Sequence, residues 1–317
     1  MISQPRLGLS YGYLLVDTNK FSLLNMPLAP LIEAFANIDN LAADNASGKP
    51  LSLLESMFTS SHNHTAGFKS FIEGLIKSSY WKSQDFPDNP FPRLCINLSL
   101  EIDRMQDAIE PPYHCRGHFQ DVCLAITLLM QQPIHYPIHT PDQSLWLMTP
   151  KEAWLLLFCA IGHDYGHDGS INQTPNELEK RSIEKIDAFL HEFNEPPVLI
   201  EEIMPKVRPI ILATDPSVFG NLVDKFTSNL PIITKEDCMS MLLVEADLMG
   251  SALPGHGVRL GQQLGLEWQT AHPEMAHRVA SDQGRLSFLQ HIRFMSPHSE
   301  MLGLDKIRQE SINQIKT

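Results

Sequence analysis

Basic residues are in short supply. The 317-residue chain has 24 Lys and Arg against 37 Asp and Glu, a formal net charge of -13, so it lacks the basic face needed to track a nucleic-acid backbone. A small anionic substrate stays open if metal ions supply the positive charge. Cysteine is sparse as well. Cys95, Cys115, Cys123, Cys159 and Cys238 are odd in number and far apart, which speaks against a disulfide framework or a CxxC zinc site and points to a reducing compartment. Long apolar runs are missing. The most concentrated one, residues 153–161, falls short of the roughly 20 residues a membrane helix needs. Residues 1–25 carry no basic stretch followed by an apolar core and a small-residue cleavage site. The expectation is a cytoplasmic protein whose partners include neither nucleic acid nor membrane.

Alternating strand patterns, repeats of 20 to 50 residues and low-complexity tracts are absent too. What is present is apolar residues at helical spacing and 43% hydrophobic content, enough for a substantial core. Helices are expected over residues 30–45 and 51–81, the second stretch interrupted by polar residues 60–65. Residues 85–92, with Pro87, Pro90 and Pro92, read as a loop, and residues 94–109 as a helix stopped by Pro111 and Pro112. Thr149-Pro150-Lys151-Glu152 and Thr174-Pro175-Asn176-Glu177 read as capped helix starts, and Thr234-Lys235-Glu236-Asp237 as a weaker one. Further helices are expected over residues 154–161, 177–193, 197–212 and 237–251. The fold class is therefore all-α, a compact multi-helix domain over residues 30–317. Residues 1–29 read as an extension or irregular start.

Behind the apolar run stands Gly162-His163-Asp164-Tyr165-Gly166-His167-Asp168-Gly169-Ser170-Ile171-Asn172. Imidazole beside carboxylate at a helix end can hold a divalent cation, so this reads as half of a metal site. Upstream, His114 and His118 are four apart and share a face if that turn is helical. Taken alone, they read sooner as capping or surface histidines at a helix start. Downstream, Asp247 interrupts an apolar helix, where an unpaired charge is costly to bury. A salt bridge or a shallow position would also explain it. Thr214-Asp215 closes another apolar helix, with a structural C-terminal hydrogen bond as the plain alternative. Order carries more than any one signal. His118, His163, Asp164 and Asp247 form a set suited to a borderline or hard divalent ion with open positions for water.

That order resembles the HD metal-dependent phosphohydrolases, and within them most nearly the catalytic domain of the class I 3',5'-cyclic nucleotide phosphodiesterases. The family pattern H-D-x-x-H-x-G-x-x-N is met by His163, Asp164, His167, Gly169 and Asn172. Its Y-H-N-x-x-H-x-x-D-V element is met by Tyr113, His114, His118, Asp121 and Val122, with Cys115 in place of the asparagine. Leu212-Ala213-Thr214-Asp215 and Glu245-Ala246-Asp247-Leu248 also look like family segments.

The resemblance implies that His118, His163, Asp164 and Asp247 bind a first metal ion, typically zinc. Asp164 would bridge to a second, typically magnesium or manganese. A bridging hydroxide would be the nucleophile, and His114 the general acid on the leaving oxygen. His167 and Thr214 would sit near the second ion, with Asn172 in support. In the substrate part, Tyr113 and Phe288 are carried over, whereas Arg285 stands where the family has a purine-clamping glutamine and Gln283 lies two residues earlier. The expected activity is hydrolysis of cAMP or cGMP to the 5'-monophosphate. The alternative is an HD-type hydrolase of another nucleotide or phosphate ester, and an inactive regulatory homologue is disfavoured by the complete ligand set. Whether two copies of the chain pair is left open.

Overall fold

Apolar residues at a 3.6-residue period build helices, and the computed structural model, which describes residues 49–106, 110–132, 134, 144–228 and 232–316, contains no strand among them. The helix expected over residues 30–45 and the start at residues 1–29 lie outside the described residues. In chain order the helices are α1 (Lys49–His62), α2 (Phe68–Leu75), α3 (Ser79–Ser83), α4 (Phe91–Gln106) and α5 (Arg116–Met130). There follow α6 (Pro150–Gly162), α7 (Glu177–Glu192), α8 (Pro197–Leu212), α9 (Phe219–Thr227) and α10 (Lys235–Ala252). Last come α11 (Pro254–Trp268), α12 (Pro273–Val279), α13 (Asp282–His291), α14 (Pro297–Leu302) and α15 (Leu304–Lys316).

Three helices form the centre. In α5 every residue from Gly117 to Met130 is buried, in α6 every residue from Ala153 to Gly162, and α10 is buried through most of its length. Such helices have no polar stripe because they are wrapped on all sides: α5 packs on both α6 and α10, while α1, α2, α4 and α8 cover them. Polar groups inside this core must find partners. Thr127 donates to Cys123 O (2.8 Å) and accepts from Trp81 Nε1 (3.1 Å). Trp81 lies against Trp154, ring centroids 4.8 Å apart, and Trp154 Nε1 donates to Gln84 O.

The capping reading needs two corrections. Thr149 and Thr234 both make full capping boxes, with Glu152 and Asp237, so the weaker-looking start is a complete one. At Thr174-Pro175 no helix begins. α7 starts at Glu177 behind Asn176, which is left-handed (φ 63), and no side chain caps it. There the Glu177 carboxylate reaches back to Gln173 N (3.0 Å), and Asp215 takes the Asn176 amide (2.6 Å), so the turn is held from outside. α4 begins at Phe91, inside the expected loop, because Pro92 needs no amide partner in a first turn and Asn89 Oδ1 accepts from Phe91 N.

Asp121, in mid-α5, is 2% exposed. Its Oδ2 accepts from His62 Nδ1 and from His256 Nε2, each at 2.7 Å, which ties α1 and α11 to the central helix. Arg259 donates to His256 Nδ1 (2.6 Å), so the His256 proton sits on Nε2 and is spent on Asp121. His256 keeps no lone pair for a cation, and the cluster is a lock between helices. His256 is one of its parts. Burial opposes charge on His62, but hydrogen bonds to Asp121 and Cys115 outweigh it and raise its pKa to about 9.

Candidate metal centre

The Gly162-His163-Asp164 stretch places its chemistry where α6 stops. Gly162 makes this possible, since a Cβ there would come within 2.7 Å of Ile186. His163, the C-cap residue, is buried, and its Nδ1 donates to Ala160 O (2.9 Å), turning the Nε2 lone pair inward. His118 enters from the first turn of α5, and Asp247 from α10.

These groups meet. His163 Nε2 lies 3.2 Å from His118 Nε2 and 3.1 Å from Asp164 Oδ2. His118 Nε2 is 3.3 Å from Asp164 Oδ2 and 3.3 Å from Asp247 Oδ1, and His163 Nε2 is 3.8 Å from Asp247 Oδ1. An ion with bonds of about 2.0–2.2 Å holds neighbouring ligand atoms roughly 3.0–3.5 Å apart, so the donor set fits a divalent metal in spacing and in chemistry. Burial disfavours a charged His118, yet Tyr113, Asp164 and Asp247 raise its pKa well above the ordinary value. Two nitrogens so close beside two carboxylates call for a shared positive charge.

His114 is not on the α5 face with His118, as the four-residue spacing suggested. α5 begins at Arg116, and His114 belongs to the preceding turn. Glu267, near the end of α11, orders that turn: Oε1 bonds His114 Nδ1 (2.6 Å), and Oε2 accepts from Tyr113 N (2.8 Å) and His114 N (3.0 Å). Burial alone would raise the Glu267 pKa, but His114 and these amides hold it below the usual value. His114 Nε2 is left facing Asp164 Oδ2 at 3.9 Å. The His167 ring stacks on His114 at 3.5 Å, which sets their nitrogens side by side and not toward one centre. Burial and the His114 charge push the His167 pKa down to about 4, so it is neutral at pH 7. Its Nδ1 accepts from Gly169 N (3.0 Å), leaving the proton on Nε2.

One cavity of about 440 Å³ joins this centre to a more apolar region. Tyr113, His114, His118, Asp164, His167 and Asp247 form one part of its wall, and Asn172, Thr214, Arg285 and Phe288 also line it. Tyr113 lies tilted against His118, ring centroids 4.8 Å apart. Asn172 is engaged with Glu179 Oε2 (3.0 Å) and Leu178 N (2.7 Å), and Thr214 Oγ1 donates to Ile211 O. Gln283 is exposed and contributes nothing to the cavity wall, because α13 turns Arg285 and Phe288 inward instead. Glu267 escaped the sequence reading entirely. It stands 153 residues from His114, with no periodic or motif signal to mark it.

No protein-family model and no curated protein matches the sequence. Among solved structures, the chain is similar to the phosphodiesterase domain of the Salpingoeca rosetta rhodopsin phosphodiesterase, with a TM-score of 0.53 and 16% identity over 77% of this chain and 93% of that one. The phosphodiesterase domain of the RhoPDE fusion protein from the same choanoflagellate gives a TM-score of 0.53 and 16% identity over 77% and 97%. LmjPDEB1, solved in complex with IBMX, gives a TM-score of 0.56 and 14% identity over 90% and 96%. What is shared at such identities is the fold, and this chain has the helical fold of phosphodiesterase catalytic domains.

Proposed function

We propose that the protein is a metal-dependent phosphodiesterase that hydrolyses a 3',5'-cyclic nucleotide to the 5'-monophosphate. The observation that carries this reading is the convergence of His118, His163, Asp164 and Asp247 beside a histidine held by a carboxylate. These four would hold a first divalent ion, zinc by the chemistry of the donors, and Asp164 would share a second, magnesium or manganese. When bound, such ions polarise phosphoryl oxygens and lower the pKa of water toward neutrality.

The remaining chemistry falls to side chains. Glu267 keeps a proton on His114 Nδ1 and aims Nε2 into the cavity. The Nε2 proton passes to the leaving O3' as the P–O3' bond breaks and water adds to phosphorus, a role typically worth about 10²- to 10⁴-fold in rate. His167, neutral with its proton on Nε2, donates to the phosphate or to ordered water. Tyr113 and Phe288 offer rings to the substrate.

The test is hydrolysis of cAMP and cGMP by protein supplied with Mg²⁺ or Mn²⁺, beside an Asp164→Ala control. Turnover that vanishes in the control supports the reading. A protein that binds metal yet turns over neither nucleotide is instead a hydrolase of another phosphate ester, the reading that Arg285 in the cavity wall favours.

A further inference from the structure

The cavity wall is unbalanced in its polar groups. Two buried side-chain atoms among its lining residues have no hydrogen-bond partner, Arg285 Nε and Trp268 Nε1, and both are N–H donors. Arg285 is 9% exposed, yet no carboxylate among the described residues hydrogen-bonds it. Its one acceptor is Leu253 O, 2.8 Å from Nη2. Glu55 and Asp282 are close enough to act on its charge, but the Glu55 carboxylate is taken by the amides of Gly255 and His256. Gly257 makes room for this guanidinium, since a Cβ there would lie 3.1 Å from Nη2 and 2.2 Å from Ser251 O. A buried cation whose Nε–H meets no acceptor is costly unless a ligand supplies one.

The surroundings define the ligand's shape. One turn along α13 from Arg285, Phe288 also lines the cavity, with 38% of its surface open, and Leu260, Leu264 and Val279 add apolar wall. A flat ring stacked on Phe288 would present its edge to Arg285. We infer that Arg285 selects a guanine-type base, one whose edge offers two acceptors, over adenine. A guanidinium fork matches guanine O6 and N7, whereas adenine sets its N6 amino donor against a donor. Glutamine, which has both an acceptor and donors, matches adenine instead. This inference rests on the phosphodiesterase reading for where the phosphate sits, and it adds which base occupies the far end.

The experiment compares kcat/KM for cGMP, cIMP and cAMP in the metal-supplied protein and in Arg285→Gln and Arg285→Lys variants. Inosine keeps O6 and N7 but lacks the 2-amino group, so cIMP should follow cGMP. The expected result is a preference of roughly ten- to a hundredfold for cGMP and cIMP over cAMP. It should collapse in Arg285→Gln through better use of cAMP, and shrink in Arg285→Lys, which keeps charge but loses the fork. Equal use of all three by the wild type, or variants that lose all three alike, would overturn it and leave Arg285 a packing residue. Calorimetric binding of 5'-GMP, 5'-IMP and 5'-AMP separates the two readings. Selective binding of GMP and IMP without turnover keeps Arg285 and sinks the phosphodiesterase; turnover without selectivity does the reverse. Protein that neither turns over the cyclic nucleotides nor binds the monophosphates sinks both.

Discussion

Glu267 spends both carboxylate oxygens on the turn that carries His114. An amide in its place must set an N–H against either a backbone amide or the imidazole, so Glu267→Gln frees the ring without removing it. The expected outcome is a kcat lower by about 10²-fold with KM within a few-fold of wild type. Steady-state kinetics on a cyclic nucleotide decide it, and a raised KM with intact kcat would mean that Glu267 holds substrate instead. The four proposed metal ligands could be picked out of the sequence by the order of their segments, since none of the segments carried the reading alone. Glu267 and His256 could not, since their partners are distant in the chain: Glu267 bonds His114 and His256 bonds Asp121, which lies 135 residues away. No periodicity records such a pairing.

Helix starts can be ranked by what their threonines bond. Thr234 closes a complete capping box on α10, the helix that brings Asp247 to the centre, whereas Thr174 caps nothing. Thr234→Ala should therefore cost about 1 kcal/mol, a fall of roughly 1–2 °C in melting temperature for a chain of this length. Thr174→Ala should stay within about 0.5 kcal/mol. Paired thermal melts check the contrast, and equal losses would return Thr174 to its expected role. The sequence ranks them the other way, because Pro175 follows Thr174 at the first helical position whereas Lys235 follows Thr234. A tertiary contact from Asp215 and a local one from the Glu177 side chain decide the second case. By comparison, α8 was legible to the residue at both ends, 197 and 212, despite Pro205 and Pro209 inside it.

For the molecule as a whole, the lock of His62, Asp121 and His256 makes stability depend on pH. The folded His62 pKa, about 9, lies above the ordinary 6.5. The folded state thus binds the proton more tightly, and the resulting stability is complete below pH 6.5 and lost as pH rises through 9. Asp121, Cys115, His256, Arg259 and Glu55 are the titratable or charged groups around the cluster. Gln263 can follow the change: its Oε1 has no partner, and a half-turn of the amide brings it to accept from charged His62. Denaturant melts at pH 6 and pH 10 should differ by up to about 3 kcal/mol, and a His62→Gln variant should flatten that slope. A slope unchanged in the variant would assign it elsewhere. The packing of the tryptophans has a different kind of consequence. Of the chain's four, Trp81 and Trp154 lie against each other in the interior, Trp146 lies beside Phe226, and Trp268 alone lines the cavity. Ultraviolet emission from the unlabelled protein is therefore divided between two reports, loss of the core from the interior indoles and occupancy of the cavity from a single one.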